Sequence, residues 1–300
     1  MRNHLVGIPK REAMAHQGIR KRLKAYGIGF SVLILACAAL RMTGSVESLA
    51  YWPSRDAFQT PVSYEDVWIT TEDGVTLHGW FMPATAGDDG PKPAVLHLHG
   101  NAGNISHHAS FSDYLPQHGI HTLIIDYRCY GRSDERGALR RDDLMLDANA
   151  ALDFLLARKD VVAERVGVLG VSLGSAFGLA LAAERSEVRA VASVGAFSSW
   201  QGVASDMIPV LGPMLMPGGL DQLDALEAFA DRPYLIVHGD ADEVIDHRHA
   251  LLLKARCDEL GVDATLNTAE GADHNGIMRT HAETRGVIGQ FFEGSLGDPE

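Results

Sequence analysis

Hydrophobic and polar positions along the chain switch repeatedly between two periods. Short apolar runs at Ala94 to Leu98, Thr122 to Ile125, Val166 to Leu169, Ala190 to Val194 and Leu235 to Val237 have the look of strands buried on both faces, with a further strand expected at Ala264 to Thr268. Between them lie longer segments of helical spacing: Asp142 to Ala157, Ser175 to Ala183 and His249 to Leu260. In the first of these, Leu144, Leu146, Ala148, Ala151, Leu152 and Leu155 supply the apolar positions. Upstream, Val67 to Thr71 and Val75 to Phe81 flank the turn signal Glu72-Asp73-Gly74 and predict a hairpin. Strand and helix alternate through most of the chain. The expected architecture is therefore α/β, a mostly parallel central sheet with helices on both faces and its ligand site beyond the carboxyl ends of the strands.

The first residues break this pattern. Residues 1–24 hold seven basic side chains against Glu12 alone, a net +6, and the 16 residues between Lys24 and Arg41 carry no charge. A helix of that length reaches about 24 Å at ~1.5 Å per residue, short of a ~30 Å hydrocarbon core unless Lys24 and Arg41 snorkel. The preferred expectation is a retained, single-pass membrane anchor at 25–41. A signal peptide cut near Ala36, Ala38 and Ala39, and lipid attachment at Cys37, are the alternatives. In each of these the basic lead stays inside and the enzyme faces away from the cytoplasm. Residues 42–61 are expected to form a tether, and residues 62–295 one catalytic domain.

Composition narrows the partners. The whole chain of 300 residues carries −13, so residues 25–300 carry −19, a poor charge balance for neutralising phosphates. Nucleic acid is not expected as a partner. Three cysteines, Cys37, Cys129 and Cys257, are too few for a disulfide framework, though one Cys129 to Cys257 bridge is compatible with an exported domain.

The chemistry gathers at the predicted strand ends. Gly170-Val171-Ser172-Leu173-Gly174 follows one strand and precedes a small-residue helix, as in a nucleophile elbow. There Ser172 would sit strained at the tip of a sharp reversal, and the flanking glycines avoid collision. A serine hydroxyl needs a base, and the base needs a carboxylate to orient it. The strand ending at Val237 runs into His238-Gly239-Asp240-Ala241-Asp242-Glu243-Val244-Ile245-Asp246, whose four carboxylates the spacing alone does not separate. Among the later histidines, His247 and His249 fall at the start of a helix and His281 on the last helix. His274 lies in a loop after the last predicted strand, which favours it as the base. His99-Gly100-Asn101-Ala102-Gly103-Asn104 follows Leu98, where the N–H of Asn101, with that of Leu173, would meet a developing oxyanion.

Taken together, TEDGVTLHGWF, VLHLHGNAGN, IIDYRCYGRSD, LGVSLGSAFG, YLIVHGDADEVID and GADHNG resemble the α/β-hydrolase superfamily over roughly residues 60–293. The likeness is to the lysophospholipase-like and serine-aminopeptidase-like branch, which includes membrane-anchored bacterial hydrolases and protein depalmitoylases. The resemblance implies that Asp242, in the pattern His-Gly-x-x-Asp, is the acid, and that His274 is the base. Two departures stand out: Cys129 where the family often has glycine, and Asp273 before His274, where it could perturb the histidine electrostatically.

Several competing readings follow from other features. His97 and His99 share a strand face, but the Asp and third His of a metallo-hydrolase motif are missing, so no metal is expected. His97 is read as a core residue bonded to backbone, and His107 and His108 as a solvated helix start. The segment from Phe197 to Arg232 breaks the strand pattern and is rich in Met and Pro, a short lid-like insertion or a packed loop. From it Phe197, Trp200, Met207 and Met214 are taken as candidate pocket residues. The expected activity is a serine hydrolase acting on carboxylic ester or thioester bonds of acyl substrates, without cofactor. A peptidase or acyltransferase on the same residues, and a non-catalytic membrane-tethered interaction protein, are the alternatives.

Overall fold

The structure, a computed structural model, describes residues 45–229, 231–277 and 282–297. Eight strands form one sheet: β1 (Glu65–Thr70), β2 (Thr76–Met82), β3 (Lys92–Leu98), β4 (His121–Ile125), β5 (Val161–Val171), β6 (Val188–Val194), β7 (Tyr234–Gly239) and β8 (Ala264–Ala269). Their spatial order is β1-β2-β4-β3-β5-β6-β7-β8. The β1–β2 hairpin and the β2–β4 pairing are antiparallel, and every other neighbour is parallel. The longer helices are α1 (Arg141–Leu156), α2 (Leu173–Glu184), α3 (Trp200–Met207), α4 (Leu211–Leu215), α5 (Gln222–Ala228), α6 (Arg248–Leu260) and α7 (Ala282–Leu296).

Side-chain alternation along the strands divides the core in two. Ala94, Leu96, Leu98, Val166, Val168 and Ile236 pack with Leu144, Phe177, Leu226 and Leu253 from α1, α2, α5 and α6. Their strand neighbours Val95, Leu169, Ala192 and Val237 face the other way, against Ile288, Phe292 and Leu296 of α7. A sheet covered on both faces needs apolar residues at consecutive positions, which is why these strands read as unbroken runs.

Strand β5 begins at Val161, five residues before the apolar run that marks it in the sequence. Glu164 and Arg165 hide this entry, which pairs Lys92 with Val161 across a register shift before the regular ladder starts. Strand order reverses at β3, which lies between β4 and β5, so the chain leaves β3 and β5 toward opposite edges of the sheet, the place where sheets of this kind bind ligands. The two loops leaving these strands are His99 to Asn104 and the turn at Ser172.

The apolar run expected as an anchor lies outside the described residues, as do the basic lead, Cys37 and His281. Among the described residues, no helix is long and apolar enough to cross a membrane. From Ser45 onward the stretch expected as a tether lies against the domain. Tyr51 is buried, and Trp52–Pro53 pairs in parallel with Ala102–Gly103. Cys129 and Cys257 are both free thiols, so the bridge held open by the sequence is not formed.

Candidate active site

Strand β5 drives straight into Ser172, whose backbone sits at φ 50°, ψ −111°, and α2 begins at the next residue. This left-handed backbone at a residue with a Cβ is strained, and it lifts the side chain out of the turn. Two glycines make the turn passable. A Cβ on Gly170 would come within 2.5 Å of the Ser175 Cα, and one on Gly174 would collide with the Leu98 carbonyl. The Ser172 N–H donates to the Val194 carbonyl at 2.8 Å, fixing the turn to β6. From the other side Ser175 Oγ donates to the Ser172 carbonyl at 2.5 Å, and Gln222 of α5 donates to Ser175 Oγ at 3.2 Å.

The three residues expected to work together meet at the strand ends. His274 Nδ1 is 2.6 Å from Asp242 Oδ2, and His274 Nε2 is 3.1 Å from Ser172 Oγ. A carboxylate can only accept, so Nδ1 carries the proton and Nε2 is left free to receive one from Ser172. Asp242 is buried, with its other oxygen accepting from the N–H groups of Val244 at 2.9 Å and Ile245 at 2.8 Å. Burial alone would raise its pKa, but hydrogen bonds from His238 and His274 and the bond from the Ile245 N–H outweigh it and hold the carboxyl well below its ordinary value. The competing carboxylate Asp240 is exposed and accepts from the Gly271 N–H at 2.6 Å, bracing the loop that carries His274. Asp273 is likewise occupied, accepting from the Gly276 N–H at 2.5 Å.

The loop leaving β3 lies over the serine. A Cβ on Gly100 would stand 3.6 Å from the Ser172 Cβ, so the residue preceding Asn101 lies against Ser172. Leu173 is the first residue of α2, so its N–H has no acceptor within the helix and lies at the positive end of the helix dipole. Among the described residues, neither that N–H nor the Asn101 N–H is engaged by a loop or side-chain acceptor. Donors so placed can meet negative charge growing on a carbonyl oxygen attacked by Ser172.

The insertion between β6 and β7 folds as α3, α4 and α5. Phe197 and Trp200 are both 4 % exposed, their rings 4.9 Å apart and edge to face. Met207 is exposed and Met214 half-buried. His249, at the start of α6 as expected, bonds Ser198 Oγ at 2.8 Å and Asp206 Oδ2 at 2.9 Å, tying α3 to α6.

Some assignments need correcting. His97 is buried but bonds the Ser112 hydroxyl at 2.9 Å, a side chain and not backbone. His107 is exposed as expected, whereas His108 is half-buried and stacks on His99 with ring centroids 5.0 Å apart. A one-turn helix at Ile105–His108 directs the two residues to opposite environments, which pattern alone does not separate over so short a span. Cys129 sits at φ 69°, a backbone region natural to glycine, which accounts for glycine being the usual family residue there.

Three contributors were not singled out from the sequence. Gly195, at φ 62° after β6, packs beneath His274, and a Cβ there would stand 2.9 Å from His274 Cε1. His238 lies 3.4 Å from Asp242 Oδ2 and donates to the Ile245 carbonyl at 2.8 Å. Tyr130 donates its hydroxyl to the Asn101 carbonyl at 2.7 Å. A glycine directly after a predicted strand end is the available signal for Gly195, while His238 and Tyr130 lie within family-like segments that give them no role by themselves.

A family model described as alpha/beta hydrolase fold matches residues 93–216. The uncharacterized protein YfhR of Salmonella typhi is 32 % identical over 247 residues, covering 77 % of this chain and 82 % of the relative. The alpha/beta hydrolase domain-containing protein WAV2 of Arabidopsis thaliana is 31 % identical over 252 residues, covering 76 % and 80 %. Among solved structures, an esterase of Pyrococcus furiosus superposes with a TM-score of 0.71 at 20 % identity, over 83 % of this chain and 99 % of that one, a likeness of fold.

Proposed function

The chain belongs to the α/β-hydrolase family, and from that premise we propose that it is a serine hydrolase cleaving carboxylic ester or thioester bonds through an acyl-enzyme on Ser172. The observation that carries this reading is the hydrogen-bonded line from Asp242 through His274 to Ser172 Oγ, at 2.6 Å and 3.1 Å. In the proposed reaction His274 Nε2 takes the Ser172 proton as Oγ attacks the acyl carbon. Asp242 stabilises the imidazolium that results, and the N–H groups of Asn101 and Leu173 receive the oxyanion. The tetrahedral species collapses as His274 returns the proton to the departing alcohol or thiol. Water then repeats the sequence on the ester formed with Ser172, releasing the acid and restoring the serine. No metal or organic cofactor enters these steps.

The insertion from Phe197 onward offers an acyl chain Phe197, Trp200, Met207 and Met214, the two methionines being the more accessible. The basic lead and apolar run at 25–41 support attachment to a membrane with the catalytic domain outside the cytoplasm, near lipid-like acyl substrates. Extraction of the full chain from membranes by detergent but not by alkaline carbonate is the expected result for that attachment. Release by carbonate would remove the anchor reading.

The activity itself is tested by comparing kcat/KM on p-nitrophenyl esters from acetate to palmitate, on matched thioesters, and on peptide p-nitroanilides. Ester or thioester turnover well above anilide turnover is the expected outcome. Faster anilide cleavage would replace the esterase reading with a peptidase one.

A further inference from the structure

We propose that the Asn101 side chain is a positioning group, by which the segment 45–54 straps the oxyanion loop into place over Ser172. The inference rests on the serine-hydrolase reading above, since only that reading gives the Asn101 N–H a charge to meet.

Asn101 is held from outside its own loop by the strap and by Tyr130, whose hydroxyl also lies 3.2 Å from the Asn101 Oδ1. Its Nδ2 donates to the Ala50 carbonyl at 2.6 Å, and its Oδ1 accepts from the Trp52 N–H at 3.2 Å. Its backbone carbonyl accepts from the Tyr130 hydroxyl at 2.7 Å. The bonds to Ala50 and Trp52 reach across about half a hundred residues of sequence, so the loop does not set its own geometry. The strap continues along the loop: Trp52 and Pro53 pair with Ala102 and Gly103, and the Ser54 N–H donates to the Gly103 carbonyl at 2.9 Å. With the side chain and carbonyl of Asn101 both fixed, little freedom remains to its N–H.

The far end of the strap is anchored by a buried ion pair. Glu47 Oε1 accepts from the Arg141 N–H and from Arg141 Nε, both at 2.8 Å, and both side chains are about 5 % exposed or less. Arg141 in turn reaches the insertion. Its guanidinium lies 4.3 Å from the Trp200 ring centroid and donates to the Gly219 carbonyl at 2.8 Å. A buried charge left without its partner is costly, so Glu47 and Arg141 stay together and hold the strap against both the oxyanion loop and the lid-like insertion. Leu49 and Trp52 are exposed at 76 % and 65 %, so the strap is fastened by the buried Tyr51 ring, by its hydrogen bonds and by this ion pair.

The test uses the full chain and normalises turnover to active serine, titrated with a fluorophosphonate. Asn101→Ala removes both strap bonds to the side chain and keeps the backbone N–H. An oxyanion donor acts mainly in the transition state. The expected result is a fall in kcat of roughly 10- to 100-fold per titrated serine, with KM within about twofold of wild type. Glu47→Ala should lower kcat in the same way, and Glu47→Gln, which keeps an acceptor for the Arg141 N–H, should recover part of it. A merely structural role would lower Tm and the titratable fraction while leaving kcat per active serine unchanged, and that result would overturn the proposal with the hydrolase reading intact. A folded wild-type chain that takes no fluorophosphonate would sink the hydrolase reading and the strap with it.

Discussion

Replacing Gly195 by alanine should disable the proposed base while leaving all three residues of the hydrogen-bonded line unsubstituted. Gly195 has φ 62°, and an alanine there pays roughly 1–2 kcal/mol for a left-handed backbone. The new methyl would also stand 2.9 Å from His274 Cε1 and 3.2 Å from Nδ1, where ordinary van der Waals contact begins nearer 3.4 Å. Something must give, and His274 is the softer partner, because the Gly195 N–H is tied to the Val237 carbonyl at 2.9 Å. A displacement of about half an ångström to one ångström would stretch the bonds to Asp242 and Ser172 together, for which a loss of roughly 10²-fold in kcat is reasonable. Gly74→Ala is the control: φ there is 80°, but nothing lies within 4 Å of the added methyl. It should lower Tm by a comparable amount and leave kcat per titrated serine unchanged. The assay is ester turnover normalised to active serine, beside thermal unfolding of both variants. Gly195→Ala turning over within twofold of wild type, or Gly74→Ala losing as much activity, would refute the reasoning.

Asp242→Asn should stay folded, because an amide oxygen can still accept from the Val244 and Ile245 N–H groups, while kcat falls by roughly 10⁴ as His274 is driven to the wrong tautomer. Asp240→Asn should leave kcat within a few-fold, and the reverse pattern would move the acid to Asp240. The same aspartate shapes acid stability. Its native pKa lies below the unfolded value of about 3.9, so the unfolded chain takes up the proton first. The resulting stabilisation is complete above about pH 4 and is lost as the pH falls through the native value. Urea unfolding between neutral pH and about pH 3 should therefore lose less stability in Asp242→Asn than in wild type, and equal losses would count against the depressed pKa. Cys129→Gly should hold or raise Tm, since it removes left-handed strain at φ 69° at the cost of a more flexible unfolded chain. A large drop would mean that the Cys129 side chain contributes packing that outweighs the strain.

The strands were legible because a sheet covered on both faces writes itself as continuous apolar runs, and Ser172 because a strand, a spaced glycine pair and a small-residue helix have to coincide at such a turn. His274 followed from its loop position. The choice of Asp242 over Asp240, Glu243 and Asp246 did not follow from spacing, since all four leave one strand end. It came from the family pattern, and its physical basis is the pair of backbone N–H groups that cradle one carboxylate oxygen. The start of β5 was hidden because Glu164 and Arg165 interrupt its apolar signal at a register shift. Gly195, Tyr130 and the strap at 45–54 escaped notice for a common reason. Each acts through contacts made across long stretches of sequence, and neither composition nor periodicity records which distant backbone carbonyl a side chain will reach.

The most direct test of the central claim is peptide mass analysis of the full chain after reaction with a fluorophosphonate, run beside Ser172→Ala. The account expects a single adduct on the peptide carrying Ser172, together with ester turnover, and the loss of both in the variant. A folded wild-type chain without an adduct, an adduct on another serine, or a Ser172→Ala variant that still turns over ester would contradict it.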